Sequence, residues 1–246
     1  MGMPKFFFDK IDMTQGRICL HGEDEKHIKT VLRAKEGEEL TLCDGEGMDY
    51  QCRISSLADG VQLEILSKAP CETEPKTKIT LYQGLPKADK LDFIVQKLTE
   101  LGGARVCPVK MERSVVKSDA KDGIKRRERL EKIAREATKQ CRRATAPEIA
   151  EPLSWKQAFA RMKEHELILV PWEDARGVRM KDIAREMPEA NEIGIVIGPE
   201  GGMSEAEVDT MRELGARAIT LGPRILRAET AAVASVAMAM TLWGDL

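Results

Sequence analysis

The sequence lacks the patterns that announce a metal site, a phosphate loop or a membrane segment. Its six cysteines, at 19, 43, 52, 71, 107 and 141, form no C-x-x-C pair, and there are only three histidines. No zinc-type cluster can be built at that spacing, so no metal is predicted, and the cysteines read as reduced, packed side chains of a cytoplasmic protein. The opening residues MGMPKFFFDK have no long apolar core with a cleavage site after it, which argues against a signal peptide. The most apolar stretch, AAVASVAMAMTLWG, is alanine-rich and shorter than the ~20 residues a membrane span needs. A soluble chain without a membrane partner is the expectation. The formal net charge of −2 excludes a uniformly basic coat, so any nucleic-acid contact must come from a local patch.

What is present divides in two. Residues 1–72 read as β structure, with GRICL, EELTLC, DYQCRIS and VQLEIL as short strands, turns at Asp44-Gly45, Glu46-Gly47 and Asp59-Gly60, and one short helix near EDEKHIKTVLR. A small barrel would close such strands without exposed edges. The polar segment CETEPKTK suits a linker, and from residue 73 to 246 the pattern becomes α/β. ITLYQGL, ARVCPV, ELILVPW, EIGIVIG and ARAITLG read as strands between helical patterns, which predicts a mostly parallel sheet covered on both faces. Leu91, Ile94, Val95, Leu98 and Leu101 fall at helical spacing before the stop at Gly102. In such sheets ligands bind at the carboxyl ends of the strands.

Charge is unevenly spread. Residues 105–143 carry fourteen Lys/Arg against six Asp/Glu, much of it on GIKRRERLEKIAREATKQCRR, whereas residues 1–72 carry nine basic against fourteen acidic. Pairs such as Glu128–Lys132 and Glu131–Arg135 fit a solvated helix face, while the uncompensated arginines fit a phosphate-facing one.

Two glycine-rich turns are the most informative features. In IGIVIGPEGGMSEAEV a strand ends at Ile197, passes through Gly198-Pro199-Glu200-Gly201-Gly202, and meets a helix capped by Ser204 with Glu207 three positions on. The lysine and hydroxyl of a phosphate loop are missing, and so is G-x-G-x-x-G. In ARAITLGPRILRAETAAV a strand from Ile219 to Leu221 is followed by Gly222-Pro223, apolar Ile225 and Leu226, then Arg227-Ala228-Glu229-Thr230 and an alanine-rich helix. Two strand ends with Gly-Pro turns suggest one ligand cleft; Arg227 and Glu229 suit either that cleft or a surface ion pair.

IGPEGGMSEAE and LGPRILRAETA resemble motifs of the SPOUT superfamily of trefoil-knotted RNA methyltransferases, in particular its RsmE-type family, which methylates N3 of a uridine in 16S ribosomal RNA. MPKFF and HIKTVLRAKEGEELTLCDGEG resemble that family's PUA-like barrel, and KADKLDFIVQKLTELGGARVCPVKMERSVVK and REATKQCRR the start of its catalytic domain. The likeness covers nearly the whole chain. It departs at Lys5, where the family usually has arginine, and in the usual E-Q-S-G-R pattern, where Lys139 replaces glutamate and Arg142 glycine while Gln140 and Arg143 match.

The resemblance implies an α/β SPOUT-type domain with a deep trefoil knot at 73–246, a PUA-like β-barrel RNA-binding domain at 1–72, and a homodimer built on the knotted region. It implies S-adenosylmethionine as cofactor, held by backbone of 170–173, 197–202 and 221–228: Val170, Pro171, Ile197, Gly198, Pro199, Gly201, Gly202, Leu221, Gly222, Ile225, Leu226 and Ala228. Lys87, Lys90, Arg113, Ser114, Gln140 and Arg143, with His27 and Arg33 on the barrel, are the implied contacts to 16S rRNA, within the 30S subunit. The catalytic candidates are Arg227, to stabilise negative charge on the uracil carbonyls, Glu229, to orient that arginine or take the N3 proton, and Glu200 as the other candidate base. A ribose 2′-O-methyltransferase of the same superfamily and a non-catalytic ribosome-assembly factor are the alternatives.

Overall fold

The computed structural model describes residues 5–8, 13–14, 16–87, 89–114 and 120–246. Of the motif residues above, Met3-Pro4, Ala88 and Val115–Lys117 lie outside these. The chain forms two compact units, one of residues 1–74 with 138–146 and one of residues 75–137 with 147–246.

In the first unit, β1 (Lys5–Phe7), β2 (Met13–Thr14), β3 (Arg17–Leu20), β4 (Glu39–Cys43), β5 (Met48–Ser56) and β6 (Val61–Pro70) form a six-stranded sheet ordered β1-β4-β5-β6-β3-β2. Period-two alternation drives it: Leu40 and Leu42 point into a core with Phe6, Ile18, Ile54 and Leu63. Two register shifts in the β5–β6 ladder bend the sheet, and its described ladder stays open as a half-barrel. The β4–β5 turn is the one read from Asp44-Gly45 and Glu46-Gly47, with Asp44 Oδ1 accepting the N–H groups of Glu46 (2.9 Å) and Met48 (3.1 Å). The expected short helix is α1 (Gly22–Lys26), which runs on into a π-helical turn, His27–Val31.

Residues 138–146, which the sequence pattern groups with the second half, pack within this first unit because Glu74 holds them. Its carboxylate accepts the backbone N–H groups of Ala144 (2.7 Å) and Thr145 (2.9 Å), and pairs with the Arg143 guanidinium at 3.0 Å. Lys5, 5% exposed, donates to the Arg142 carbonyl (3.0 Å) and pairs with Asp49 (2.6 Å). Arg142 sits at φ +63°. That left-handed conformation costs a residue with a Cβ about 1–2 kcal/mol, which accounts for a glycine at this place in the family pattern.

The second unit is built on seven strands: β7 (Lys78–Gly84), β8 (Arg105–Lys110), β9 (Glu148–Ile149), β10 (Leu153–Ser154), β11 (Leu167–Pro171), β12 (Glu192–Ile197) and β13 (Arg217–Ile219). Their order is β10-β8-β7-β12-β11-β13, with β9 also on β8, and every pairing is parallel. β13 ends at Ile219, earlier than the Leu221 expected from the sequence. Both faces are covered, as a parallel sheet requires. Leu81, Leu167, Leu169, Ile193 and Ile195 face α2 (Lys90–Glu100), α3 (Ala120–Cys141), α5 (Met180–Glu186) and α7 (Ala228–Trp243). Tyr82, Ile168, Val170 and Val196 face α4 (Trp155–Met162) and α6 (Glu205–Glu213). Leu91, Ile94, Val95 and Leu98 form the buried stripe of α2, and Gly102 at φ +84° follows its end, as the spacing predicts.

One part-buried polar pair gives this fold an expected pH dependence. The Tyr82 hydroxyl lies 2.9 Å from His165 Nε2, while His165 Nδ1 is buried without a partner. Burial pushes the imidazole below its ordinary value. On acidification the unfolded chain therefore binds this proton first. Stability is fully present above about pH 6.5, the ordinary histidine value, and falls as pH drops from there toward the lower folded value. Denaturant midpoints at pH 7.5 and 5.5 should differ less in His165→Gln than in the unsubstituted protein; an equal difference would remove His165 from the acid response.

Candidate functional site

The carboxyl ends of β12, β11 and β13 lie side by side, and the three turns that follow them enclose a cleft of about 470 Å³. That volume is within the usual range for small-molecule sites. Pro171, Trp172 and Glu173 come from the first of these ends in chain order, Ile197–Pro199 with Glu200, Gly202 and Met203 from the second, and Thr220–Ala228 with Ala231 from the third. Ser204 caps α6 through a capping box with Glu207, as read from the sequence. Glu207 is 6% exposed and also accepts the Glu112 N–H at 2.9 Å, so the cap fixes the chain after β8 as well.

Packing explains the glycines individually. A Cβ on Gly84, the last residue of β7, would lie 2.5 Å from the Pro199 nitrogen, so the strand end and the turn touch backbone to backbone. A Cβ on Gly201 would meet the Arg113 side chain at 3.1 Å, and one on Gly202, at φ +72°, the Glu173 carboxylate at 3.1 Å. Gly222 is different: it has φ +112°, and nothing stands within 4 Å of where its Cβ would be. Its bare face opens into free space beside Ile225, a large aliphatic side chain 87% exposed. Such a side chain on a cleft wall is surface that a ligand would cover. The indole of Trp172 is steadied by the Arg212 guanidinium 5.2 Å from its ring centre, and its Nε1 is buried without a partner.

Most of the expected cofactor contacts meet here: Pro171, Ile197, Gly198, Pro199, Gly202, Leu221, Gly222, Ile225, Leu226 and Ala228 all line the cleft. Val170 and Gly201 do not. Val170 is 1% exposed and points into the core beneath, because side chains alternate along β11, and Gly201 backs onto Arg113. Met203, Thr220 and Ala231 also line it and were not among the expected contacts, although all three lie within the two glycine-rich stretches quoted above.

The charged residues rearrange the sequence reading. Arg227 lines the cleft, exposed, at the N-cap of α7, and no ion pair to Glu229 forms. Instead Lys90 Nζ lies 3.0 Å from Glu200 Oε1 and 3.3 Å from Glu229 Oε2. Glu200 Oε1 also accepts the Lys87 N–H at 3.0 Å. Partial burial pushes the Glu200 carboxyl upward, but its own backbone N–H, that of Lys87 and the Lys90 ammonium outweigh this and hold it below the ordinary range. Glu200 in turn, opposed by desolvation, holds Lys90 above its ordinary value.

The expected RNA contacts divide. His27, Arg33, Lys87, Arg113 and Gln140 are exposed. His27 stands edge-on to Phe6 with ring centres 5.7 Å apart, and Arg33 has φ +52°. Arg113 donates to the Gly201 carbonyl (3.1 Å), and the Ser114 hydroxyl accepts the Met111 N–H (3.1 Å). Arg143 is a correction: it is 5% exposed and locked on Glu74, so it is an anchor of the first unit and not a free phosphate contact. Lys90 is committed to the cleft. Among the described residues, no group of three or more His, Cys, Asp or Glu side chains is placed to hold a metal.

Residues 73–240 match the family described as the RNA methyltransferase domain, and residues 20–66 the RNA methyltransferase PUA domain. The chain is 36% identical over 240 residues to the ribosomal RNA small subunit methyltransferase E of Bacillus subtilis, covering 93% of each. The crystal structure of the enzyme of that name from Neisseria gonorrhoeae, bound to S-adenosyl methionine, superposes with a TM-score of 0.85 at 33% identity over all of both chains. A putative methyltransferase of Legionella pneumophila, in complex with the same cofactor, gives 0.84 at 29% identity, again over all of both.

The glycine geometry sets up a paired test. Gly84→Ala forces backbone apart and should cost about 1–3 kcal/mol, the usual penalty of overpacking. Gly222→Ala meets only the strain of its left-handed backbone and should cost about 1 kcal/mol. Denaturant melts of both variants check the order; the reverse order would mean that the β7 end and the Pro199 turn do not touch.

Proposed function

Given that this chain belongs to the family of ribosomal RNA small subunit methyltransferase E, we infer that it transfers a methyl group from S-adenosylmethionine to N3 of a uridine in 16S ribosomal RNA. The observation that carries this is the cleft at three adjacent strand ends, walled by two Gly-Pro turns and left uncovered at Gly222 and Ile225. Its residues fit the cofactor: the bare Gly222 leaves room at the backbone, and Leu221, Ile225 and Leu226 offer an apolar wall. When bound, the cofactor supplies a methyl made electrophilic by its sulfonium.

The protein's task is then to position the uracil and to favour loss of the N3 proton. Arg227, exposed and without an ion partner among the described residues, is the group suited to stabilise negative charge on a uracil carbonyl. Glu200 lines the cleft but is already stabilised as an anion, which makes it a poor proton acceptor. Its contacts suit a clamp between the Pro199 turn and the Lys87–Lys90 segment. Glu229 is not among the lining residues.

Several further readings belong to the same proposal. Residues 1–72 serve as the RNA-binding domain and 73–246 as the catalytic one, with 138–146 supporting the former. His27, Arg33, Lys87, Arg113 and Gln140 face the RNA, in the cytoplasm and within the 30S subunit. Two copies pair through α7. In support, that helix is apolar on its outer side too, with Val233, Ala234 and Ala237 half-buried and Met238 exposed. The chain around β11, β12 and α7 is threaded as a deep trefoil knot, a reading favoured by β11 lying between the two later strands β12 and β13.

Two measurements test the reaction. Nucleoside mass spectrometry of small-subunit RNA from cells lacking the protein should show loss of N3-methyluridine, restored by re-expression; loss of a ribose methyl instead would establish the 2′-O alternative, and absence of S-adenosylmethionine binding by calorimetry the non-catalytic one. Arg227→Lys keeps the charge but loses the planar fork. Turnover should fall by roughly 10²-fold, the effect of one lost preorganised donor, with dissociation constants for cofactor and RNA little changed. A loss confined to RNA affinity would make Arg227 a binding residue.

A further inference from the structure

Lys90 opens α2, whereas its two partners come from distant parts of the chain: Glu200 from the turn after β12 and Glu229 from the first turn of α7. Lys90 and Glu200 line the cleft, but Glu229 does not. The Glu229 oxygen nearest Lys90, Oε2, is buried and lies 3.3 Å from the ammonium. Glu229 thus stands behind the ammonium, and a base in the cleft would meet Lys90 first. An ammonium carries three N–H donors. Its two carboxylate partners need only two of these, which leaves a third for a ligand in the cleft that Lys90 lines.

We infer that Lys90 is a catalytic residue whose ammonium donates to a uracil carbonyl beside N3, and that Glu229 acts only through Lys90, as its counter-ion. This rests on the uridine reading above. In the step concerned, the N3–H bond breaks, the proton passes to solvent water, and the electron pair stays on the uracil, spread over N3 and its flanking carbonyl oxygens. Lys90 on one side and Arg227 on the other then supply two cations for one delocalised anion, and no dedicated carboxylate base is needed. The other charged groups of this region are Glu200, Glu229, Glu173 and Arg224, with Lys87 and Asp89 on the approach to Lys90. Between two carboxylates the ammonium stays charged throughout the physiological range.

The test is a double-mutant cycle on Lys90 and Glu229, run with the full-length protein on small subunits from cells lacking it. Lys90→Met should slow single-turnover methylation by roughly 10²-fold, and Lys90→Arg should recover part of that. Glu229→Gln should slow it less, and adding it to Lys90→Met should cause no further loss. A second readout needs no turnover. Once the methylated position is mapped, a short RNA fragment with 5-fluorouridine there presents a more acidic N3. Its affinity for the unsubstituted protein should rise as pH passes the ionisation of that base, and Lys90→Met should abolish the rise while binding S-adenosylmethionine normally. Losses that multiply across the cycle would make Glu229 an independent proton acceptor and overturn the inference, as would an unchanged rise in affinity with Lys90→Met. Should Lys90→Met fail to bind the cofactor, Lys90→Gln carries the same comparison: an anion preference equal to the parent's would overturn it. If the unsubstituted protein leaves uridine N3 unmethylated, the reaction itself is misassigned, a failure separate from these.

Discussion

The cleft depends on a contact between two stretches of backbone. Gly84 and Pro199 approach so closely that no side chain fits between them, and this brings the end of β7 against the turn that follows β12. The six-residue parallel ladder between those strands sets the approach, since matched registers carry both chains to the same edge of the sheet. Glu200, one residue beyond the contact, then reaches the Lys87 N–H and the Lys90 ammonium. Position in the ladder thus becomes position of charge: a backbone register fixes where two carboxylates and an ammonium meet.

Much of this was legible in the sequence because it is local. The strands and helices follow from alternation and helical spacing, the capping box from Ser204 and Glu207, and the ligand edge from consecutive Gly-Pro turns. What escaped depends on partners far apart in the chain. Lys90 reads as one of the implied RNA contacts, and nothing near it in the sequence announces Glu200 or Glu229. Arg143 sits in a basic run that suggests phosphate, yet Glu74 buries it. Glycines were legible as a class but not one by one: Gly201 and Gly202 make room for Arg113 and Glu173, and Gly222 opens into the cleft.

Two arginines, Arg33 and Arg142, occupy left-handed backbone after helical segments, and both belong to the first unit. Each position favours glycine on conformational grounds. At Arg142 the backbone is held by what its carbonyl accepts, from Lys5 at 3.0 Å and Thr73 at 2.8 Å, so the strain is offset locally while the side chain remains exposed. The structure therefore separates two neighbours that look alike in sequence: Arg142 presents its charge to solvent, and Arg143 spends its charge on Glu74.

The discontinuity of the first unit has a consequence for biosynthesis. Residues 138–146 supply the partners of Glu74 and Lys5, so the N-terminal sheet lacks them until that segment has been translated. At roughly 5–20 residues per second, the nascent chain extends through residues 75–137 for several seconds first. During that interval the Glu74 carboxylate has neither the amides nor the guanidinium that satisfy it in the finished protein. The domain synthesised first is therefore not the domain that finishes folding on its own: its completion waits on the C-terminal end of a helix whose body belongs to its neighbour.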